Sequence, residues 1–317
     1  MKTLYRHLCE ENPELPIFLN SWWLDTLVGP EHWDVVTVEE NQQVVAALPY
    51  TVQKGKRSRL IYLGQPPLCQ YLGPWIKPSA MKQTASGSRE KKLLTLLESH
   101  LPRHHMYQQN WSPENQNWLP FYWKGYEQST RYTYRIAYQP TKTVWENLHS
   151  KVRGDIRKAE NRYKLQISSS RPVNELITLV KKTFLRQNTP VPFSEEKLKQ
   201  LFLTTQSRNC GETFFATDPS GAIHAAIYCV WDSRYTYYLL SGTDPEHRHS
   251  GALSLCIWHA IQKSFERQQG FDFEGSIIEN IESFFRSFGA EQTPYFSVRK
   301  INHKPLKLYY ALQSGLS

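Results

Sequence analysis

TYYLLSGTDPEHRHSGALSLCIWHAIQKSFERQQGFDFE, residues 236–274, decides the fold. Thr236–Ser241 is rich in aromatic and apolar side chains and reads as a strand. Leu253, Cys256, Ile257, Ala260, Ile261 and Phe265 recur at steps of three and four, the spacing of an amphipathic helix. Phe271–Glu274 reads as a second, short strand. A helix joining two strands of one sheet makes that pair parallel, through a right-handed crossover. Upstream, Thr213–Thr217 and Ile223–Trp231 are separated by Asp218–Gly221, and Asp232–Arg234 leads into Thr236, so these three strands form an antiparallel meander. Downstream come a helix, Glu279–Phe288, and a last strand, Tyr295–Arg299. The sum is an α/β (α+β) fold, a mixed and mostly antiparallel sheet with helices on its faces.

The turn between strand and helix carries candidate chemistry. Amides at a helix N-terminus have no intrahelical partner and carry partial positive charge, which makes Asp244–Ala252 a candidate phosphate loop. Gly251 admits a ligand close to the backbone, Ser250 adds a hydroxyl and Arg248 a fixed charge. The competing reading is a plain cap, with Ser250 closing the helix and Arg248 in solvent. His247 and His249 have no third ligand nearby in sequence, so no metal is expected.

A second helix is read over Val144–Tyr163, its apolar stripe formed by Trp145, Leu148, Val152, Ile156, Ala159 and Tyr163. Arg153 and Arg157 lie one turn apart on another face. Residues 142–171 hold eight Lys/Arg against three Asp/Glu, so much of the chain's net charge of +9 is local. Such a patch suits an anionic partner, and Arg153 and Arg157 are candidate substrate-binding residues; a merely solvated face is the alternative. After it come a strand at Leu165–Ile167 and two helices capped by Asn174 and Ser194.

Tyr138–Thr141 reads as a junction between domains 1–140 and 141–317. The first half repeats part of the second: Val45–Leu48 resembles Ala225–Ile227, and Leu63-Gly64 echoes Ser241-Gly242. It differs after its meander, where a Lys/Ser/Gly-rich stretch, Lys77–Lys92, is expected before any helix. With 40% hydrophobic and 21% charged residues, the 317-residue chain is no disordered polymer. No run reaches the ~18 apolar residues of a membrane span, and the N-terminus has no apolar signal core, so a cytoplasmic protein is expected. Five widely spaced cysteines without a CxxC pair argue against a disulfide framework or zinc site, and Cys229 and Cys256 read as buried thiols.

The meander, the Arg248-x-x-Gly251 turn, the helix and the short strand resemble the GNAT N-acyltransferase superfamily. Two such halves are similar to Fem-type transferases, which build peptidoglycan bridges, and to their acetyltransferase-like relatives. Val152–Glu160, Asp272–Ser276 and Phe285–Gly289 carry that second likeness, with Arg286 where the Fem pattern has Lys. The resemblance implies two tandem GNAT-like domains. The first is a degenerate acceptor side and the second a donor side whose cleft opens near the Asp272 strand. Arg286 then joins the substrate-binding candidates.

In a strand, Asp272 and Glu274 share a face, their Cα atoms roughly 6.6–7 Å apart. A carboxylate with a raised pKa can take the proton of an attacking amine, so both are catalytic candidates; orienting loops is the alternative role. The rings between Gln108 and Tyr134 are read chiefly as core, with a few left for a cleft wall. The first functional reading is an N-acyltransferase moving an acyl group from acyl-CoA (acetyl-CoA) to a small-molecule or cell-wall-precursor amine without a covalent enzyme intermediate. Aminoacyl-tRNA is the alternative donor, and a non-catalytic module for an anionic polymer the alternative class.

Overall fold

The computed structural model describes residues 1–55, 59–78, 83–276 and 278–314. In chain order the elements begin with α1 (Lys2–Glu11), α2 (Ser21–Val28), β1 (Trp33–Glu40), β2 (Gln43–Lys54), β3 (Ile61–Gly64) and β4 (Trp75–Ile76). Next come α3 (Gln83–His100), β5 (Met106–Asn110), α4 (Leu119–Tyr122), β6 (Glu127–Ile136), α5 (Thr141–Asn147) and α6 (Ser150–Asn161). Then follow β7 (Gln166–Ser168), α7 (Val173–Arg186), α8 (Glu195–Ser207), β8 (Gly211–Thr217), β9 (Ile223–Trp231) and β10 (Tyr235–Thr243). The last are α9 (Ala252–Glu266), β11 (Gly270–Asp272), α10 (Glu279–Arg286), β12 (Glu291–Ile301) and α11 (Lys304–Ser314).

The chain divides into two compact units, one of Met1–Arg131 with Pro294–Ser317, the other of Tyr132–Thr293. This differs from the boundary expected at residue 140 and from a second domain running to 317. The chain instead returns to its first unit, because Ser297–Ile301 pair antiparallel with Asn110–Met106 of β5 and Val298 enters the core of that unit.

Both units show the repeated order. In the first, β1, β2 and β3 form an antiparallel meander, and β3 pairs parallel with β5 after α3. In the second, β8, β9 and β10 form the meander, and β10 pairs parallel with β11 after α9. Helix α3 begins at Gln83, well before Lys92, so the polar stretch expected there is already helical; residues 79–82 lie outside the described ones.

The second unit's core explains its helices. Ile257, Ala260, Ile261 and Phe265 of α9 are buried with Phe271, Phe214 and Ile227, each large side chain contributing about 1.5–3 kcal/mol. Ser194 caps α8 by accepting the Lys197 amide, whereas α7 starts at Val173 after Pro172 rather than at an Asn174 cap. The single helix expected over Val144–Tyr163 is two helices, α5 and α6. Leu148 and His149 between them are extended, with ψ of 137° and 143°. His149 accepts the Lys151 amide, and Arg153 donates to the Trp145, Glu146 and Leu148 carbonyls at 3.3, 2.8 and 2.7 Å. The break leaves the apolar register intact: Val144, Leu148, Val152, Ile156 and Ala159 are all buried.

Candidate active site

Strand β11 ends at Asp272, whose carboxylate has no solvent exposure. Its Oδ1 accepts from Thr133 Oγ1 at 2.5 Å and the Glu274 amide at 2.7 Å, and its Oδ2 from Arg135 Nε at 2.8 Å. Arg135 also lies over the Tyr235 ring, 4.3 Å from its centroid. With both oxygens engaged, Asp272 holds the end of β11 against β6; this is the orienting role rather than that of a proton acceptor.

Glu274 departs from the regular strand expected for it, because the ladder stops at Asp272 and Glu274 takes φ of 60°. Gly275 follows at φ 71°, and a Cβ there would overlap the Tyr132 carbonyl oxygen, so β6 clamps this bend. A left-handed glutamate held by its neighbours stores strain of the kind that collects at functional positions. Burial and the nearby Asp272 charge push the Glu274 carboxyl well above its ordinary pKa.

The neighbouring residue on β6 reaches elsewhere. Tyr134 donates to Glu282 Oε1 at 2.6 Å and accepts from Gln292 Nε2 at 2.8 Å, while Arg286 Nε donates to the same Glu282 oxygen at 3.0 Å. Hydrogen bonds to the ionised form keep the Glu282 carboxyl below its ordinary range. Arg286 thus stands on a carboxylate partner, largely exposed, at the rim of a cavity of about 650 Å³. His149, Lys151, Asp155, Ser283 and Ser287 also line it.

The turn at Arg248–Gly251 looks different from the open phosphate cradle expected of it. Pro245–Ser250 is a short 3₁₀ helix capped by Asp244, and Ser250 is buried with its Oγ accepting the Ala252 amide at 3.3 Å. Gly251 has φ of 83°, and a Cβ on it would overlap the Asp155 carbonyl oxygen of α6. The glycine therefore serves the close approach of α6 to α9, Ser250 serves as cap, and Arg248 is exposed.

The basic candidates separate in the same way. Arg153 is spent on the α5 carbonyls, and Lys158 pairs with Asp155 at 2.7 Å. Arg157 is exposed, its guanidinium 5.8 Å from the Trp145 ring centroid. Of the rings between Gln108 and Tyr134, Trp111, Phe121, Tyr126 and Tyr134 are buried whereas Tyr122, Trp123 and Tyr132 are exposed. Asp244, Glu246 and His247 can bring ligand atoms within 4.8 Å of one another, though Asp244 already pairs with Lys182. Sequence reasoning missed Thr133, Arg135 and Glu282, and took Tyr134 only as one ring of a run. The signal was there on β6: an alternating Thr-Tyr-Arg in a strand sends its first and third side chains one way and the second the other.

Residues 147–277 match the family described as acetyltransferase (GNAT) domain. This stretch contains the meander, α9, β11 and Glu274, so the similarity to an acetyltransferase (GNAT) domain lies on the second unit. No curated protein matches the chain. Among solved structures it is similar to FemX, with a TM-score of 0.69 at 11% identity over 98% of each chain. It is also similar to the C-terminal domain of a putative lysylphosphatidylglycerol synthetase from Agrobacterium fabrum, with a TM-score of 0.54 at 12% identity over 90% of each chain. A third is L-PGS from Bacillus licheniformis, with a TM-score of 0.54 at 12% identity over 93% of this chain and 92% of that one. At such identities these likenesses concern the fold.

Proposed function

We propose that the chain transfers an aminoacyl group from an ester on tRNA to an amine of a cell-wall or lipid precursor. The attack is direct, with Glu274 as the base. The carrying observation is Glu274 itself: a strained carboxyl at the end of β11 whose raised proton affinity suits a base, beside the fully engaged Asp272. The amine gives its proton to Glu274 and attacks the ester carbonyl. The tetrahedral intermediate then collapses, breaking the C–O bond, and the leaving ribose hydroxyl recovers the proton from Glu274.

The donor choice is supported by the closed turn. Coenzyme A phosphates would need free amides at a turn where Ser250 already takes the Ala252 amide and the Asp155 backbone crowds Gly251. An RNA donor needs exposed positive charge instead, and Lys151, Arg157, Arg162 and Lys164 are exposed on and just after α6. Arg286, at the cavity rim, is placed in a supporting role toward the donor's phosphates. Similarity in fold to the C-terminal domain of a protein named as a putative lysylphosphatidylglycerol synthetase agrees with an aminoacyl group as cargo.

Binding of three probes tests the donor: acetyl-CoA, aminoacylated tRNA and uncharged tRNA, at physiological salt. Aminoacylated tRNA should bind most tightly and acetyl-CoA not measurably. Saturable acetyl-CoA binding, weakened by Arg248→Ala, would restore the turn as a phosphate site and overturn the choice.

A further inference from the structure

The first unit exposes apolar side chains in an uneven way. Of its eight large hydrophobics described as exposed, only Met1 and Leu4 lie outside two short segments. One segment surrounds α4, with Leu119, Tyr122 and Trp123 exposed at 42, 57 and 61%. The other is α11, with Leu308, Tyr309 and Leu312 exposed at 62, 54 and 61%. Leu308 and Leu312 are one turn apart, so they form one ridge of the helix.

Arg299 ties the segments together. It pairs with Glu127 at 3.3 Å, four residues beyond Trp123, and lies 5.8 Å from the ring centroid of Tyr310 on α11. Soluble proteins seldom leave such clusters uncovered. Apart from Glu127, which Arg299 pairs, the charge on these segments is positive: α11 carries Lys304 and Lys307 and no acidic residue, and exposed Lys124 follows Trp123.

We propose that α11 and the α4 segment together seat this unit on an anionic membrane surface, leucines and aromatic rings entering the headgroup boundary and lysines meeting lipid phosphates. Trp and Tyr favour that boundary because one part of the ring system is apolar and another hydrogen-bonds. A short basic helix with an apolar ridge lies in the interface plane rather than crossing it. Among the described residues no helix is long and apolar enough to span a bilayer, which agrees with surface seating. The surface is independent of Glu274 and of the donor.

Sedimentation of the full chain with vesicles tests this, using phosphatidylcholine alone or mixed equally with phosphatidylglycerol. The protein should sediment with the mixed vesicles, release at high salt, and largely ignore phosphatidylcholine. Leu308→Glu with Leu312→Glu should lower the bound fraction at least about tenfold, and Trp123→Ser should lower it less. These positions are exposed, so melting temperature and tRNA binding should match the parent protein's. Failure of the parent protein to sediment, or equal sedimentation of the double variant, would overturn the proposal. So would concentration-dependent self-association without lipid that the double variant abolishes, because a second copy would then cover the ridge.

Discussion

In the proposed mechanism Glu274 concentrates the chemistry of the molecule in one side chain. Burial and the Asp272 charge raise its carboxyl pKa above the unfolded value of about 4.3. The stability held in this protonation is therefore complete below the unfolded pKa and is lost as pH rises through the higher folded value. Glu274→Gln keeps a neutral polar group there, so its melting temperature should gain on the parent protein's as pH rises above about 4.3. Parallel curves across pH would mean the carboxyl is ionised in the fold. Asp272→Asn should behave differently, costing about 3–5 kcal/mol in chemical denaturation, because it leaves Arg135 buried without its counter-charge. The two carboxylates were legible in sequence as a pair. Their division of labour was not, since it depends on Thr133 and Arg135 from a distant strand and on Gly275 meeting Tyr132.

Elements were read well where apolar spacing governs them and less well where a polar contact interrupts it. The stripe from Val144 to Ala159 is buried as its period implies, yet two extended residues divide it. Periodicity is blind to that break because the side chains on either side stay in register. The interruption is maintained by Arg153, so Arg153→Ala should cost about 1–3 kcal/mol through loss of a charged donor to three carbonyls. An unchanged denaturation midpoint would show the break to be held by packing alone. At the next contact, Gly251→Ala should cost at least about 2 kcal/mol, from a left-handed alanine that also collides with the α6 backbone. The glycine was visible in the sequence; the helix that fills the space beside it was not, because nothing local in Arg248–Gly251 encodes the approach of Asp155.

Across the molecule, the repeated strand and helix order was recoverable from short echoes such as Val45–Leu48 and Ala225–Ile227, which both fall on central meander strands. The return of β12 to the first unit was not, since one strand carries no mark of the partner it will choose. The uneven charge of residues 142–171 survives as exposed cations on α6, and with the proposed tRNA donor it predicts salt-dependent binding. Arg157→Ala should weaken tRNA binding and reduce its log–log salt slope by about 1. The central claim is met most directly by the initial rate of aminoacyl transfer from bulk aminoacyl-tRNA to an amine-bearing cell-wall precursor peptide, measured against pH for the parent protein and Glu274→Gln. The account predicts a parent rate that climbs along a limb above the usual carboxylate range, and a variant slower by about 10²–10⁴-fold with that limb gone. A variant that transfers at the parent's rate, with the same pH profile, would contradict it.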